Sequence, residues 1–491
     1  MKKYTNNFKF FGATILFIDS VAMFSGCKMD QNIEKKPNFI VILTDDLGYG
    51  DVGVYGAEGY QTPNLDRMAS EGIMFTDFYA ASSVSTPSRA ALMTGCYPQR
   101  VGLPEVLDSW SETGINSEET TIAEVLKSTG YATAIYGKWH LGHHPQFLPT
   151  RHGFDEFFGL PYSNDLWPKH PTKPNFFPDL PLIKDEEIIE YNPDQSKFTT
   201  QFTEHTIEFI KKHKNDPFFI YLPHVMPHVP LFVSDKFKGK SNKGLYGDVI
   251  MEIDWSVGQI LNTLKEEGLD DNTLVIFISD NGPWLSYGDH AGSAGPLKEG
   301  KTTTFDGGQR IPCIMRWPGH IPAGNICKEM ASEMDILPTL GQLAKAPLPT
   351  NYIDGKDIWP LISCQPEATS PHEALFYYDV WTLEAIRSGK WKLHLPHKYF
   401  SVVEPGKGGI PGISEWKKIE MSLIDLENDE GENRDVSAEH PEIVESLLML
   451  IEKARQDLGD AEKKVVEGLD FFNSRTYYRI KGKNVRAPGH I

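Results

Sequence analysis

The chain has 491 residues, with 48 Lys and Arg against 67 Asp and Glu, which gives a formal net charge of −19. A hydrophobic fraction of 40% with 11% aromatic residues excludes a wholly disordered chain, and the length predicts two or three domains. The acidic balance is unfavourable for nucleic acid or an anionic membrane surface as a partner, because both repel an acidic protein.

The N-terminus has the pattern of an export signal. Three lysines within the first nine residues precede an apolar run at 10–18, and Asp19 then makes a membrane-spanning helix unfavourable. Residues 25–27 (SGC) resemble the cleavage box of a bacterial lipoprotein. We therefore predict a signal peptide at 1–26 and a lipid on Cys27, with plain signal cleavage or an ordinary free cysteine as alternatives. The protein is then exported to the periplasm or the outer-membrane or cell surface, with membrane contact only through this anchor.

Apolar runs alternate with helix-like segments through the first three quarters of the chain. The run Asn38–Thr44 (NFIVILT) is typical of a strand covered on both faces, as in a parallel sheet. Thr121 and Glu124 have the spacing of a capping box, which predicts a helix through Lys127. The alternation predicts an α/β sandwich with a mostly parallel sheet. The other predicted elements here are strands at 131–136, 218–222 and 274–279 and helices at 199–213 and 249–267.

From about residue 371 the pattern changes to short apolar segments. Strands are predicted at 374–380, 385–388 and 391–395, followed by a closing helix at 442–458. We therefore predict a large domain at 37–370 and a smaller C-terminal α+β subdomain at 371–491 with a short antiparallel sheet. Segments rich in Pro and Gly are predicted to form long surface loops at 161–181, 285–296 and 405–412.

Polar residues follow two of the predicted strands. Asp45 and Asp46 come directly after the first strand, and Asp280 and Asn281 directly after the strand at 274–279. In open α/β sheets, binding sites form beyond the carboxyl ends of the strands. Carboxylate and amide oxygens suit Ca²⁺ or Mg²⁺, whereas zinc favours His or Cys. Asp and Asn are also common turn formers, but two such clusters on two buried strands favour a metal site.

Three further segments place reactive groups near predicted element ends. Residues 85–89 (STPSR) put a hydroxyl and a fixed cation at a predicted helix start, where an anion is favoured, although an ordinary N-capped helix explains them equally. Lys138 and His140 point to one side of an extended chain, and can bind an anion and donate a proton to it. Such a pair is more often structural. The remaining candidates are Lys301 in a Gly-rich stretch, and His224 and His228 after a strand.

Together these segments resemble the formylglycine-dependent type I sulfatases. Residues 85–95 match the highly specific signature C/S-x-P-S-R-x₄-T-G. Other family motifs follow in the family's order: DDLGYGD at 45–51, TPNLDRMASEG at 62–72, GKWHLG at 137–142, HGFDEFFG at 152–159, SDNG at 279–282 and GKTTTFDGGQR at 300–310. The resemblance covers most of residues 37–395. It is nearest to the arylsulfatase A branch, through PYSND at 161–165 and RSGKWKLH at 387–394.

The resemblance implies an alkaline-phosphatase-like fold, with residues 37–370 as the catalytic domain, and a divalent metal, usually Ca²⁺ rather than Mg²⁺. Its implied metal ligands are Asp45, Asp46, Asp280, Asn281 and the modified residue at Ser85. Ser85 is also the implied nucleophile, held in place by Arg89, and the other implied catalytic or sulfate-binding residues are Lys138, His140, Ser163, His228 and Lys301. His224 falls outside the match. Segments able to face a sugar add Asn164, Asp165, Trp167 and His394 as substrate-binding candidates.

Position 85 determines how the nucleophile is made. A serine hydroxyl is a poor nucleophile unless it is activated. The family oxidises Cys or Ser at this position to formylglycine (3-oxoalanine), whose hydrate offers one hydroxyl to attack sulfur and a second to help expel sulfate. Ser85 implies the oxygen-independent maturation enzyme of anaerobic bacteria as a partner, provided that it is the natural residue and not a replacement for Cys.

The implied function is hydrolysis of sulfate monoesters on carbohydrate. The branch favours an exo-acting enzyme for terminal galactose or N-acetylgalactosamine sulfate, with the O3, O4 and O6 positions all open. Three site carboxylates against a Ca²⁺ and three site cations give a local charge of about +2, which suits an anionic ester. The alternatives are a phosphate or phosphonate monoester hydrolase of the same superfamily and a catalytically dead glycan-binding lipoprotein.

Overall fold

The computed structural model describes residues 1–7, 9 and 35–461. Residue contacts divide the chain into two units, Met1–Lys35 and Lys36–Ile491. The described residues of the first unit contain no helix or strand, and most of the predicted signal peptide, with Cys27, lies outside the described residues. No helix within the described part of the chain is long and apolar enough to cross a membrane.

A ten-stranded sheet is the centre of the second unit. The strands up to residue 332 are β1 (Asn38–Thr44), β2 (Ile73–Phe75), β3 (Phe78–Tyr79), β4 (Ala132–Lys138), β5 (Glu156–Leu160), β6 (Pro181–Lys184), β7 (Glu187–Tyr191), β8 (Phe218–Pro223), β9 (Thr273–Ser279), β10 (Cys313–Arg316), β11 (Asn325–Cys327) and β12 (Ala331–Ser332). The order in the large sheet is β11-β2-β10-β9-β1-β8-β4-β5-β6-β7. The central strands β9, β1, β8, β4 and β5 are parallel, which confirms the predicted fold class.

Helices cover both faces of this sheet. The helices of the second unit are α1 (Pro63–Ser70), α2 (Ser85–Thr94), α3 (Pro98–Val101), α4 (Ile122–Lys127), α5 (Phe198–Lys212), α6 (Gly244–Glu266), α7 (Asp306–Gln309), α8 (Ile336–Leu343), α9 (Trp359–Ile362) and α10 (Pro441–Leu458). Of these, α10 packs on the C-terminal part of the chain and not on this sheet. Phe39, Val41 and Leu43 of β1 join the core on the side of α2, α4 and α8. Ile40 and Ile42 join the core with α1, α5 and α6. Because both faces are buried, the strand reads as a continuous apolar run.

The C-terminal part is built on a four-stranded antiparallel sheet, as predicted. This part of the chain has six strands: β13 (Leu375–Asp379), β14 (Thr382–Ser388), β15 (Trp391–His394), β16 (His397–Glu404), β17 (Ile413–Ile419) and β18 (Ser422–Asp425). Four of them form the antiparallel sheet, in the order β13-β14-β15-β18. Tyr79 and Ala91 share a buried cluster with Tyr377 and Leu393. The C-terminal part therefore packs directly on the part of the chain that contains the ten-stranded sheet. The domain boundary near residue 370 stays a prediction.

The hairpin of β16 and β17 is not predicted from the sequence. The two strands pair with each other apart from the main sheets, and the predicted loop at 405–412 is the tip of this hairpin. β17 is exposed or half-exposed along its whole length. A strand with little buried surface has no alternation of apolar and polar residues, which is the signal that predicts a strand.

The strand β4 extends two residues beyond its predicted end and so brings Lys138 into the sheet. This extension depends on Gly137, whose φ is 140°. A Cβ added there would lie 1.9 Å from the carbonyl oxygen of Pro223, because the backbone of β8 approaches closely. Only glycine lets the two chains meet at this distance while adopting a positive φ.

We expect Gly137→Ala to lower the free energy of unfolding by well over about 1 kcal/mol, because the new methyl group adds a backbone clash to the strain of a positive φ. Gly130→Ala is the matched control, since Gly130 has φ of 89° but no atom within 4 Å of an added Cβ. Urea unfolding of both variants measures the difference. Equal losses of stability would contradict the close approach.

Candidate active site

The predicted metal ligands lie together where two neighbouring strands end. β1 leads directly into Asp45 and Asp46, and its hydrogen-bonded neighbour β9 leads into Asp280 and Asn281. All four side chains are buried. The backbone N–H of Asp46 donates to Oδ1 of Asp280 over 3.1 Å, so the two strand ends are joined directly.

Ser85, the first residue of α2, points at this carboxylate cluster. Its Oγ donates to Oδ1 of Asp45 over 3.0 Å. Lys138, the last residue of β4, places Nζ 2.5 Å from Oδ2 of Asp45 and 3.4 Å from the Oγ of Ser85. The same ammonium lies 3.4 Å from the Oγ of Ser163. Lys138 therefore contacts the predicted nucleophile, a predicted metal ligand and a predicted sulfate-binding residue at once.

Arg89 lies one turn along α2 from Ser85 and is completely buried. Its Nε and Nη2 donate to Oδ2 of Asp280 over 3.0 and 2.9 Å, and its Nη1 donates to the carbonyl of Lys138 over 2.8 Å. Nη2 also lies 3.3 Å from Oδ2 of Asp45. This guanidinium joins α2 to the ends of β1, β4 and β9, and thereby sets where Ser85 sits.

A second group of side chains surrounds the carboxylate of Asp46. Nζ of Lys301 lies 2.6 and 2.9 Å from its two oxygens, and Nδ2 of Asn281 donates to Oδ1 over 2.7 Å. Nε2 of His228 lies 3.7 Å from Oδ2. Asp46 itself has φ of 66°, an unusual conformation for a residue other than glycine and one that clusters at functional sites.

The buried charges shift each other's pKa values. Burial alone favours the neutral carboxyl of Asp45, but Lys138 and then His228 and Arg89 hold its pKa well below the ordinary value. Burial and the neighbouring Asp45 anion raise the pKa of Asp280 despite its pairing with Arg89. The three carboxylates at 45, 46 and 280 face three cations at 89, 138 and 301, so their formal charges cancel before any metal is added.

The donor set fits a hard divalent cation. Oxygen atoms of Asp45 and Asp46 lie within 4.8 Å of each other; a ring nitrogen of His228 lies within the same distance but is not a ligand that such a cation prefers. The Oδ1 atom of Asn281 is buried and has no hydrogen-bond partner among the described residues. A buried amide oxygen beside carboxylates is a ligand that Ca²⁺ or Mg²⁺ prefers.

The predicted candidates His140 and His224 differ in their partners. Nε2 of His140 lies 2.7 Å from the carbonyl of Leu107, and since a carbonyl only accepts, this nitrogen carries the hydrogen. Burial lowers the pKa of His140 well below its ordinary value. Nε2 of His224 lies 3.2 Å from the Oγ of Ser256 on α6, and burial lowers its pKa to about 3. His224 therefore belongs to the packing between β8 and α6.

The predicted substrate-binding residues separate into two groups. Ser163 and Asp165 lie by the site: one Asp165 oxygen is buried without a hydrogen-bond partner in the described residues, and the other is 3.8 Å from Nε2 of His170. Asn164 is buried and donates to Oε1 of Gln195 over 3.0 Å. Its amide nitrogen thus serves the scaffold of the loop.

Neighbouring segments cover both His394 and Trp167, and contact of either side chain with a substrate stays a prediction. His394 has no exposed surface, and its Nε2 lies 2.6 Å from Oε2 of Glu432. Trp167 is also buried, with its ring 5.8 Å from that of Phe232. Tertiary packing on neighbouring segments covers both side chains. A sequence motif cannot reveal such packing.

Two supporting residues escaped the sequence analysis. The carboxylate of Glu333 accepts from the Oγ of Ser88 over 2.9 Å and from the backbone N–H of Ala81 over 2.8 Å, which holds the first turn of α2. The Trp284 ring lies 4.4 Å from Nζ of Lys301. Glu333 is 245 residues from Ser88, so no local pattern connects them, whereas Trp284 lies close behind the SDNG motif and was within reach of a motif search.

A hydroxyl at a helix start, buried cations and a pocket rich in carboxylate oxygens lie together at the edge of a parallel sheet, an arrangement suited to an enzyme that acts on an anionic ester. The "Sulfatase" family model matches residues 37–346, and the model for the "C-terminal region of aryl-sulfatase" matches 370–476. The chain belongs to the sulfatase family and is a sulfatase.

Its relatives agree with this assignment. Arylsulfatase A of Bos taurus is 42% identical over 380 residues, covering 73% of this chain and 74% of the relative. N-acetylgalactosamine-6-sulfatase of Sus scrofa is 40% identical over 383 residues, covering 73% and 71%. The solved structure of Ps i-CgsB in complex with k-i-k-neocarrahexaose superposes with a TM-score of 0.71 at 32% identity, covering 85% of this chain and 92% of that one.

We expect Arg89→Met to lower the free energy of unfolding by about 3–5 kcal/mol, because Asp280 would stay buried without its partner. Arg151→Met is the control, since the ion pair of Arg151 with Glu186 is about half exposed, and such a pair contributes about 0–1 kcal/mol. Chemical denaturation measures both. If Arg89→Met yields no soluble protein, Arg89→Lys keeps the charge without the two-pronged contact and is expected to lose less; a stable Arg89→Met protein would contradict the role.

Proposed function

We propose that this protein is an exported glycan sulfatase, and that its nucleophile is a formylglycine made from Ser85. The supporting observation is the position of the Ser85 Oγ, which starts a helix, contacts Asp45 and lies within reach of Lys138. The other side chains of the site then have definite tasks in the cleavage of a sulfate ester.

Cations in the site would bind the sulfate group and orient it toward position 85. Lys138 and Ser163 lie on one side of Asp45, and Lys301 lies on the other side beside Asp46. Fixed cations stabilise the negative charge that moves to the leaving oxygen as the S–O bond breaks. His228 is placed to donate a proton to that oxygen, and Arg89 keeps residue 85 in position.

Ca²⁺ is the metal that we propose for the site, with Mg²⁺ as a less favoured alternative. Asp45, Asp46, Asp280, Asn281 and residue 85 would hold it. When bound, the ion supplies positive charge that polarises sulfate oxygens. Its two charges would also make the pocket cationic, at about +2, because the fixed carboxylates and cations otherwise cancel.

The proposed substrate is a saccharide with a terminal sulfated galactose or N-acetylgalactosamine. A relative named N-acetylgalactosamine-6-sulfatase and a structural neighbour bound to neocarrahexaose support this class. The proposed partner in maturation is an oxygen-independent formylglycine-generating enzyme. We further propose an anaerobic bacterial source and a periplasmic or cell-surface location, with a lipid on Cys27 as the anchor.

Ser85→Ala is expected to abolish hydrolysis of aryl sulfate and of sulfated sugars while leaving the unfolding temperature nearly unchanged, because residue 85 supplies the reacting hydroxyl. Ser128→Ala, at the end of α4, is the control. Mass spectrometry of the active protein should find residue 85 short of two hydrogen atoms relative to serine. Turnover by Ser85→Ala, or activity without the mass change, would overturn the mechanism.

Assays on the same protein preparation distinguish a sulfatase from a phosphate or phosphonate monoester hydrolase and from a catalytically dead glycan-binding protein. Paired aryl sulfate and aryl phosphate assays measure the first alternative, and faster phosphate turnover would favour it. A panel of defined monosulfated sugars measures the sugar and the sulfate position. Binding of such sugars with no turnover of any ester, in protein with modified residue 85, would favour the dead protein.

Calcium is expected to raise the unfolding temperature of the metal-free protein, with a gain of about 2.7 kcal/mol when its concentration is a hundred times the Kd. Asn281→Ala should shrink this gain, because it removes the buried amide oxygen. Asn351→Ala, on the exposed surface, is the control. Differential scanning calorimetry with and without a chelator measures the shift, and an unchanged shift in Asn281→Ala would contradict the ligand assignment.

A further inference from the structure

A cavity of about 380 Å³ adjoins the active site on the side of Lys301. Lys301 and Trp284 line it from the catalytic part of the chain, and the hairpin of β16 and β17 lines it from the other side through Phe400, Val402 and Ser414. The volume falls within the range of small-molecule binding sites. Lys301 belongs both to the lining of this cavity and to the site around Asp46, so the cavity lies next to the site.

The hairpin is anchored to the catalytic loop by one of its faces. The Oγ of Ser401 donates to Oε1 of Glu299 over 2.7 Å, and the Tyr399 ring lies 4.8 Å from that of Phe305. Glu299 and Phe305 flank Lys301 in sequence. The hairpin and the lysine that contacts Asp46 therefore keep a set position relative to each other.

The other face of the hairpin presents two exposed aromatic rings. Phe400 pairs with Trp416 across the two strands, and their ring centroids are 5.2 Å apart. Phe400 is 45% exposed and Trp416 is 70% exposed. The two rings pack on each other across the hairpin, and their outer faces remain exposed to solvent, where a ligand could contact them. Flat aromatic faces beside a cavity lined by both apolar and polar side chains suit a ligand that is apolar on the faces of its rings and polar at their edges.

We infer that the Phe400–Trp416 pair and the adjoining cavity bind the sugar rings that follow the sulfated terminal sugar, so that the enzyme prefers an oligosaccharide to a monosaccharide. This inference rests on the proposed function. A sulfate held beside Asp46 and Lys301 leaves the rest of the substrate to extend past Trp284 into the cavity. Sugar rings present C–H groups on their faces for the aromatic pair and hydroxyls at their edges for Glu299 and Ser414.

The test compares a tetrasaccharide ending in N-acetylgalactosamine 6-sulfate with that sugar alone. Calorimetry on the Ser85→Ala protein measures binding without turnover. A second substitution, Trp416→Ala, made in the Ser85→Ala protein, should weaken tetrasaccharide binding roughly tenfold because it removes the proposed contact ring. It should weaken monosaccharide binding less. Trp416→Phe should retain most of the affinity. Tyr191→Ala, which removes a ring that is 58% exposed on the edge strand β7, is the matched control.

Kinetics on the active protein separates this inference from the proposed function. Trp416→Ala should raise KM for the tetrasaccharide with little change in kcat. An equal change in KM for both saccharides, or no change, would overturn the inference. Hydrolysis of the monosaccharide in the same experiment would still support the sulfatase. If Trp416→Ala lowers kcat/KM for a steroid sulfate more than for the tetrasaccharide, the cavity would be assigned to an apolar leaving group. That result would also overturn the inference. Tetrasaccharide binding that depends on Trp416 without any hydrolysis would support the inference and refute the proposed function.

Discussion

The buried contact between Arg89 and Asp280 is the constraint on which the site depends. A guanidinium and a carboxylate without exposed surface are stable only as partners, so α2 and the end of β9 have to stay together. The third arm of the same guanidinium holds the carbonyl of Lys138 at the end of β4. One side chain thus fixes the relative positions of the predicted nucleophile at Ser85, a predicted metal ligand and the predicted sulfate-binding lysine.

The C-terminal part completes this frame from the other side. Lys392 of β15 lies 2.8 Å from Asp306 and 3.1 Å from Glu432, all without exposed side-chain surface. The backbone N–H of Asp306 donates to Oε1 of Glu432 over 2.6 Å. Because Asp306 lies five residues after Lys301, this buried network supports the segment that carries the second lysine of the site. His394 belongs to this support through its contact with Glu432.

Much of the fold and site could be predicted where local physics is decisive. The strand β1 has the predicted bounds, and the capping box of Thr121 and Glu124 forms with both hydrogen bonds. Asp45, Asp280 and Ser85 meet as expected, because the ends of parallel strands share one edge of the sheet. Glu333 and the β16–β17 hairpin could not be predicted, since the first acts on a distant helix and the second has no buried alternating face.

The sequence by itself determined the residue types of the site, their order along the chain, the parallel sheet and the family. Buried apolar runs and short motifs carry that information, because each depends on neighbours in the chain. Only the tertiary structure decided which cation contacts which carboxylate and that His394 is covered. It alone decided that exposed rings stand beside the cavity next to Lys301. Ion pairing and burial depend on distances between segments far apart in sequence, and folding alone sets those distances.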